Sequence, residues 1–163
     1  MNVSVRASRV LGVLEAYRDL TAGQWSANAP ALPSFSDGEQ LIGAYSNDWE
    51  KNSELVLFTT KSICVLFNDR KWYVIKFEDI ERTIAPNGKE NVKGFSLLLR
   101  DQSRIWLPIG GSRAGRFFDA FEVLRFVDRV LADAQNEPTG NHAKGVRPSV
   151  FENKFKIAEG LFL

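Results

Sequence analysis

The stretch Ser62-Ile63-Cys64-Val65-Leu66-Phe67-Asn68-Asp69-Arg70-Lys71-Trp72-Tyr73-Val74-Ile75-Lys76-Phe77 decides the fold. Two runs of β-branched, aromatic and aliphatic residues, which suit a pleated and half-buried surface, flank Asn68-Asp69. Asn and Asp side chains hydrogen-bond their own backbone and tolerate the left-handed region, so this pair marks a turn. The reading is strand, turn, strand. In the second run Trp72 and Val74 point to one side and Tyr73, Ile75 and Phe77 to the other. Both sides are apolar, so this strand is expected centrally in its sheet or beneath another element.

Working outward, the same pattern recurs over residues 40–45, 54–59, 62–67, 71–77, 80–85, 94–100 and 103–109, with further turns at Pro86-Asn87-Gly88 and Asp101-Gln102. Seven short strands in sequence predict an antiparallel meander. A helix is expected over 112–134, capped by Ser112 and carrying Phe117, Ala120, Phe121, Leu124, Val127 and Leu131 as the stripe that plugs the β-domain. Phe118 and Phe126 fall outside the centre of that stripe.

On the N-terminal side, Val3, Ala7, Val10, Val13, Leu14, Tyr17 and Leu20 form one helical stripe, predicting an amphipathic helix over 3–20 that packs on its own domain. Pro30 and Pro33 among small polar residues predict an extended connector. Past residue 135 the composition is that of a linker, after which Phe151, Phe155, Ala158 and Phe162 recur at helical spacing. The expected organisation is thus an N-terminal amphipathic helix (1–24), a connector (25–37), a β-domain (38–135), and a linker with a short apolar tail (136–163).

Composition narrows the function. A chain of 163 residues with a formal charge of +1 has no long-range field to attract nucleic acid, so none is expected as a partner. A chain of this size buries roughly 70% of its unfolded surface and needs no metal to fold. The lone Cys64 has no disulfide partner, and no apolar run approaches a membrane span, which together point to the cytoplasm.

Three pieces of the chain carry a family resemblance: Gly38-Glu39-Gln40-Leu41-Ile42 entering the first strand, Leu55-Val56-Leu57-Phe58-Thr59-Thr60-Lys61-Ser62-Ile63 forming the next hairpin, and Phe77-Glu78-Asp79-Ile80 leading into the fifth strand. Together with seven strands and one closing helix, they resemble the pleckstrin-homology superfold, in its GRAM and bacterial PH-like branch. The resemblance spans about residues 38–134. It implies a mainly β domain with α extensions, a seven-stranded antiparallel barrel or sandwich capped by the C-terminal helix. It implies no particular chemistry, since one fold hosts many activities.

Lipid-binding members of that superfold gather cations around the first hairpin, whereas here Lys51 is balanced by Asp48 and Glu50. The better set for an anion or lipid head group is Arg70, Lys71 and Lys76. The glycine loop Gly110-Gly111-Ser112-Arg113-Ala114-Gly115 joins a strand to a helix start, where amides can hold phosphate, but it lacks the spacing of a nucleotide-binding loop. His142 lies in the linker and Cys64 in an apolar strand, so no catalytic pair, metal site or cofactor is expected. Trp25 and Trp49, in the connector and a loop, have no evident internal role and join Phe118, Phe126, Phe151, Phe155 and Phe162 as candidate partner contacts. The expectation is a non-catalytic module for protein interaction or self-assembly. Its alternatives are a peripheral membrane module and a nucleotide-binding protein or enzyme using the glycine loop.

Overall fold

The computed structural model describes residues 2–23, 25–26, 28–52, 54–90, 92–111 and 117–136. All seven expected strands form: β2 (Leu41–Ser46), β3 (Leu55–Thr59), β4 (Ser62–Leu66), β5 (Trp72–Lys76), β6 (Ile80–Ile84), β7 (Phe95–Leu99) and β8 (Arg104–Leu107). An eighth, β1 (Tyr17–Asp19), precedes them. They make two antiparallel sheets, one ordered β1-β2-β3-β4-β5 and the other β6-β7-β8. The 3-10 turn Phe77–Asp79 carries the chain between the sheets, which share one core without closing into a barrel. Every residue of β3 and β4 is buried, which explains their unbroken apolar sequence.

The expectation that the strand containing Trp72 lies centrally is corrected: β5 is the edge of the five-stranded sheet. Ile75 enters the core, while Tyr73 and Val74 are 43% and 47% exposed. The other branch of the expectation, a strand lying beneath another element, holds at Trp72. Trp72 lies under the connector and donates its indole N–H to the Ala31 carbonyl at 2.7 Å.

The closing helix α2 (Phe117–Asn136) lies against the core. Its buried seam is Asp119, Val123, Phe126, Val130 and Leu131, with Ala120 and Val127 beside it. Phe126, expected off the stripe, is fully buried and meets Phe58 edge to face, with ring centroids 5.6 Å apart. Phe117, Phe121 and Leu124 are only half-buried. The helix is thus turned by roughly one residue step, about 100°, from the apolar stripe read in the sequence. Side-chain carboxylates set that rotation. Tyr45 on β2 donates to buried Asp119 at 2.8 Å, Thr83 on β6 donates to Asp128 at 2.7 Å, and Arg6 pairs with Asp133 at 2.6 Å.

The N-terminal helix α1 covers only Val3–Val10, capped by the Asn2 side chain, which accepts from Ser4 N–H at 2.9 Å. It packs on α2 as expected of a helix in its own domain, but it does not continue to residue 20. At Gly12 the chain turns back on the helix so closely that a Cβ would collide with the Ser8 carbonyl. Five residues later, Tyr17, Arg18 and Asp19 pair with Tyr45, Ala44 and Gly43. Ladder hydrogen bonds thus replace the helix that the apolar periodicity predicted. Leu11, Leu14 and Tyr17 still reach the core, by a different backbone path. The Tyr17 ring lies on Gly43, where a Cβ would overlap the phenol.

Two stability predictions follow from this packing. Phe126→Ala should cost about 3–5 kcal/mol in urea denaturation, as a buried Phe truncation, while half-buried Phe121→Ala should cost under about 2 kcal/mol. Equal losses would show that the rotation assigned to α2 is wrong. Gly43→Ala should cost about 1–3 kcal/mol by displacing Tyr17, and shortening the tyrosine with Tyr17→Ala in the same chain should recover part of the strain.

Candidate interaction surface

The first turns of α2 expose an aromatic group. Phe118 is 49% exposed, and Phe121, three residues on, shares its side of the helix. Phe121 meets Phe117 edge to face with centroids 6.2 Å apart, and the Lys89 ammonium stands 5.5 Å from the Phe117 ring. The Glu122–Arg125 ion pair, at 3.0 Å, lies beside this group. Of the predicted partner contacts, Phe118 is therefore placed at the surface, whereas Phe126 is core. Phe151, Phe155 and Phe162 lie outside the described residues.

Trp25 and Trp49 have internal roles that sequence reading missed. Trp25 donates to the Pro30 carbonyl at 2.9 Å, and Trp49 to the Ala16 carbonyl at 2.9 Å. The Arg18 guanidinium sits 4.0 Å over the Trp49 ring. With Phe35 and Trp72 they cover Leu20, Ala44, Leu57 and Cys64 on the outer face of the five-stranded sheet. Both are half-buried, so the expectation that they have no internal role is corrected.

The basic set Arg70, Lys71 and Lys76 does not converge. Arg70 and Lys71 flank the β4–β5 turn, whereas Lys76 is the last residue of β5, roughly 16 Å farther along an extended strand. Lys76 instead borders a cavity of about 640 Å³ between α1, the end of α2 and the β3–β4 turn. Its cations have partners there: Lys76 lies 3.6 Å from Glu78, Arg6 pairs with Asp133, and Lys61 donates to the Asp37 backbone carbonyl at 2.6 Å. In the glycine loop, the amide of Gly110 donates to Asn47 at 2.7 Å and that of Gly111 to the Tyr45 hydroxyl at 2.9 Å. These two amides close the corner between β2 and β8. Residues 112–115 of the loop lie outside the described residues.

The nucleophile and base chemistry of the described residues is subdued. Burial pushes the Cys64 thiol up to about 11. Glu39 gathers donors from the β3–β4 hairpin and from the connector: Thr59 Oγ1 at 2.5 Å, Ser62 Oγ, and the Ser36 hydroxyl and amide at 2.7 and 3.0 Å. Burial alone would raise its carboxyl, but these donors outweigh it and hold it down at about 2. A carboxylate so occupied fastens the β3–β4 turn to the entrance of β2. Among the described residues no helix is long and apolar enough to cross a membrane. No family model, curated protein or solved structure matches the chain.

The depressed Glu39 carboxyl sets a direction for acid stability. Its folded pKa lies below the ordinary 4.5, so its contribution is complete above about 4.5 and is lost as pH falls toward about 2. Glu39→Gln should lower the melting temperature at pH 7 and flatten its fall between pH 4.5 and 2, measured by circular dichroism. An acid limb as steep as that of the parent would mean another carboxylate governs it.

Proposed function

We propose that this chain is a non-catalytic, pleckstrin-homology-like module of the GRAM type, acting in the cytoplasm through protein interaction or self-assembly. The fold reading is supported by the uniform order of β2 to β8 followed by α2. It is supported also by Glu39, which binds Thr59 and Ser62, so the Gly38-Glu39 and Thr59–Ser62 pieces act as one unit. The buried Cys64 thiol, with its raised pKa, suits a reducing compartment.

The observation that carries the interaction reading is Phe118, half exposed beside half-buried Phe117 and Phe121 on one helix. Aromatic residues dominate the energetics of protein contacts because they bring large apolar area with few rotatable bonds. The internal hydrogen bonds made by Gly110 and Gly111, and the separation of Arg70 and Lys71 from Lys76, weigh against the nucleotide and lipid readings.

Phe118→Asp tests the assignment, because half of this residue is already in water and the substitution should cost under about 2 kcal/mol, leaving the domain folded. In light scattering on the full chain, the substitution should reduce any concentration-dependent mass. A photo-crosslinking residue at 118 should capture a second copy or another protein. Unchanged mass and no crosslink would remove α2 from the contact.

A further inference from the structure

The outer face of the three-stranded sheet presents a second surface, unrelated to the aromatic group on α2. Its register aligns Arg82, Leu98 and Arg104 across the three strands, and in the next row Ile84, Ser96 and Trp106. Phe95 and Leu97 face the core, so the alternation of β7 turns Ser96 and Leu98 outward. Trp106 is 44% exposed, and Arg82 and Arg104 are exposed on either side of Leu98. Leu98 itself is only 7% exposed although it belongs to neither core cluster. Its cross-strand neighbours explain this, since arginine stems lie along apolar surface and leave the guanidinium in water.

The charge on this face is unanswered among the described residues. Among the described residues neither Arg82 nor Arg104 has an ion pair or a side-chain hydrogen bond. No Asp or Glu occupies an outward paired position in these strands. The neighbouring carboxylates of Glu81 and Asp101 accept hydrogen bonds from Gln102 and Ser103. In the second row, small Ser96 stands between half-buried Ile84 and exposed Trp106, whose ring also lies close to the bare backbone of Gly94.

We propose that this face docks an acidic amphipathic helix of a partner protein. Strands β6 and β8 are two inter-strand spacings apart, roughly 10 Å. Seven residues of helix rise about 10.5 Å, so carboxylates at positions i and i+7 meet Arg82 and Arg104 together. An apolar side chain at i+3 or i+4 then lies over small Ser96, against the exposed Trp106 ring. Arginine and tryptophan are the residue types that most often dominate protein interfaces. Two cations would supply only about 2 kcal/mol at an anionic bilayer, and one indole offers a single base-stacking position, so the face favours a protein helix over membrane or nucleic acid.

The test uses the full chain labelled with ¹⁵N and a blocked helical peptide bearing Glu at i and i+7 and Leu at i+3 and i+4. Its counterpart has Lys in place of Glu. The acidic peptide should shift the Trp106 indole N–H and the amides of Ser96 and Leu98 saturably, with affinity falling as salt is added. Arg82→Glu or Arg104→Glu should each weaken binding by about tenfold or more while the chain still melts cooperatively as a folded domain, and the Lys peptide should leave the spectrum unchanged. The proposal is overturned if the shifts are absent, map elsewhere, or are equal with the Lys peptide. It is overturned equally if the acidic peptide fails while the two reversals abolish binding to phosphatidylserine vesicles or to oligothymidine.

Discussion

Everything above the sheets depends on how α2 is held. Two sheets that do not close leave an apolar gap, and a helix filling it has freedom to roll unless something polar fixes its angle. Asp119 does this from within the core. Its carboxylate accepts from Tyr45, whose hydroxyl also accepts the Gly111 amide, so strand β2, the chain after β8 and the helix meet at one phenol. A buried carboxylate is tolerated only with hydrogen-bonding partners, so rolling the helix away would leave Asp119 and Tyr45 unmet. Phe126 then faces Phe58 because Asp119 faces Tyr45.

The N-terminal segment is integral to the same structure. Tyr17 extends the sheet beside β2, with its ring on the bare backbone of Gly43. The connector then crosses the outer face of the sheet, using indole N–H groups to reach carbonyls: Trp25 to Pro30 and Trp72 to Ala31. Trp49 makes the matching bond to Ala16 from the other side. An indole offers large apolar area and a single donor, which suits a strap without secondary structure of its own.

The strands were legible because each is a short apolar run ended by turn-forming residues, and the observed bounds depart from the expected ones by no more than two residues at either end. The rotation of α2 was not legible. Hydrophobic periodicity weighs Phe121 as core and Asp119 as surface, and only the distant Tyr45 reverses that order. The end of α1 was hidden for a related reason, since Leu14 and Tyr17 satisfy a helical pattern and are buried, but Leu14 from the turn after α1 and Tyr17 from a strand. A three-residue strand carries too little sequence signal to be seen without its partner β2. Phe118 was readable from the helix, although for an imperfect reason, because the same argument also selected Phe126. Arg82, Leu98 and Arg104 are far apart in sequence, and the bulge between Ile80 and Arg82 shifts the parity of β6. No local pattern announces that row.

The Arg6–Asp133 pair spans 127 positions of sequence and joins the first helix to the last one described. Such a link makes the folding order strongly non-local. During synthesis, α1 and the five-stranded sheet leave the ribosome without the helix that covers their shared apolar face. Closure must wait for the stretch bearing Val123, Phe126 and Val130 to emerge. Topologies of this sort fold more slowly than helical bundles, because the entropy of a long loop is lost before distant contacts compensate. Until then the nascent chain exposes Phe58 and its neighbours, apolar surface of the kind that favours aggregation before folding is complete.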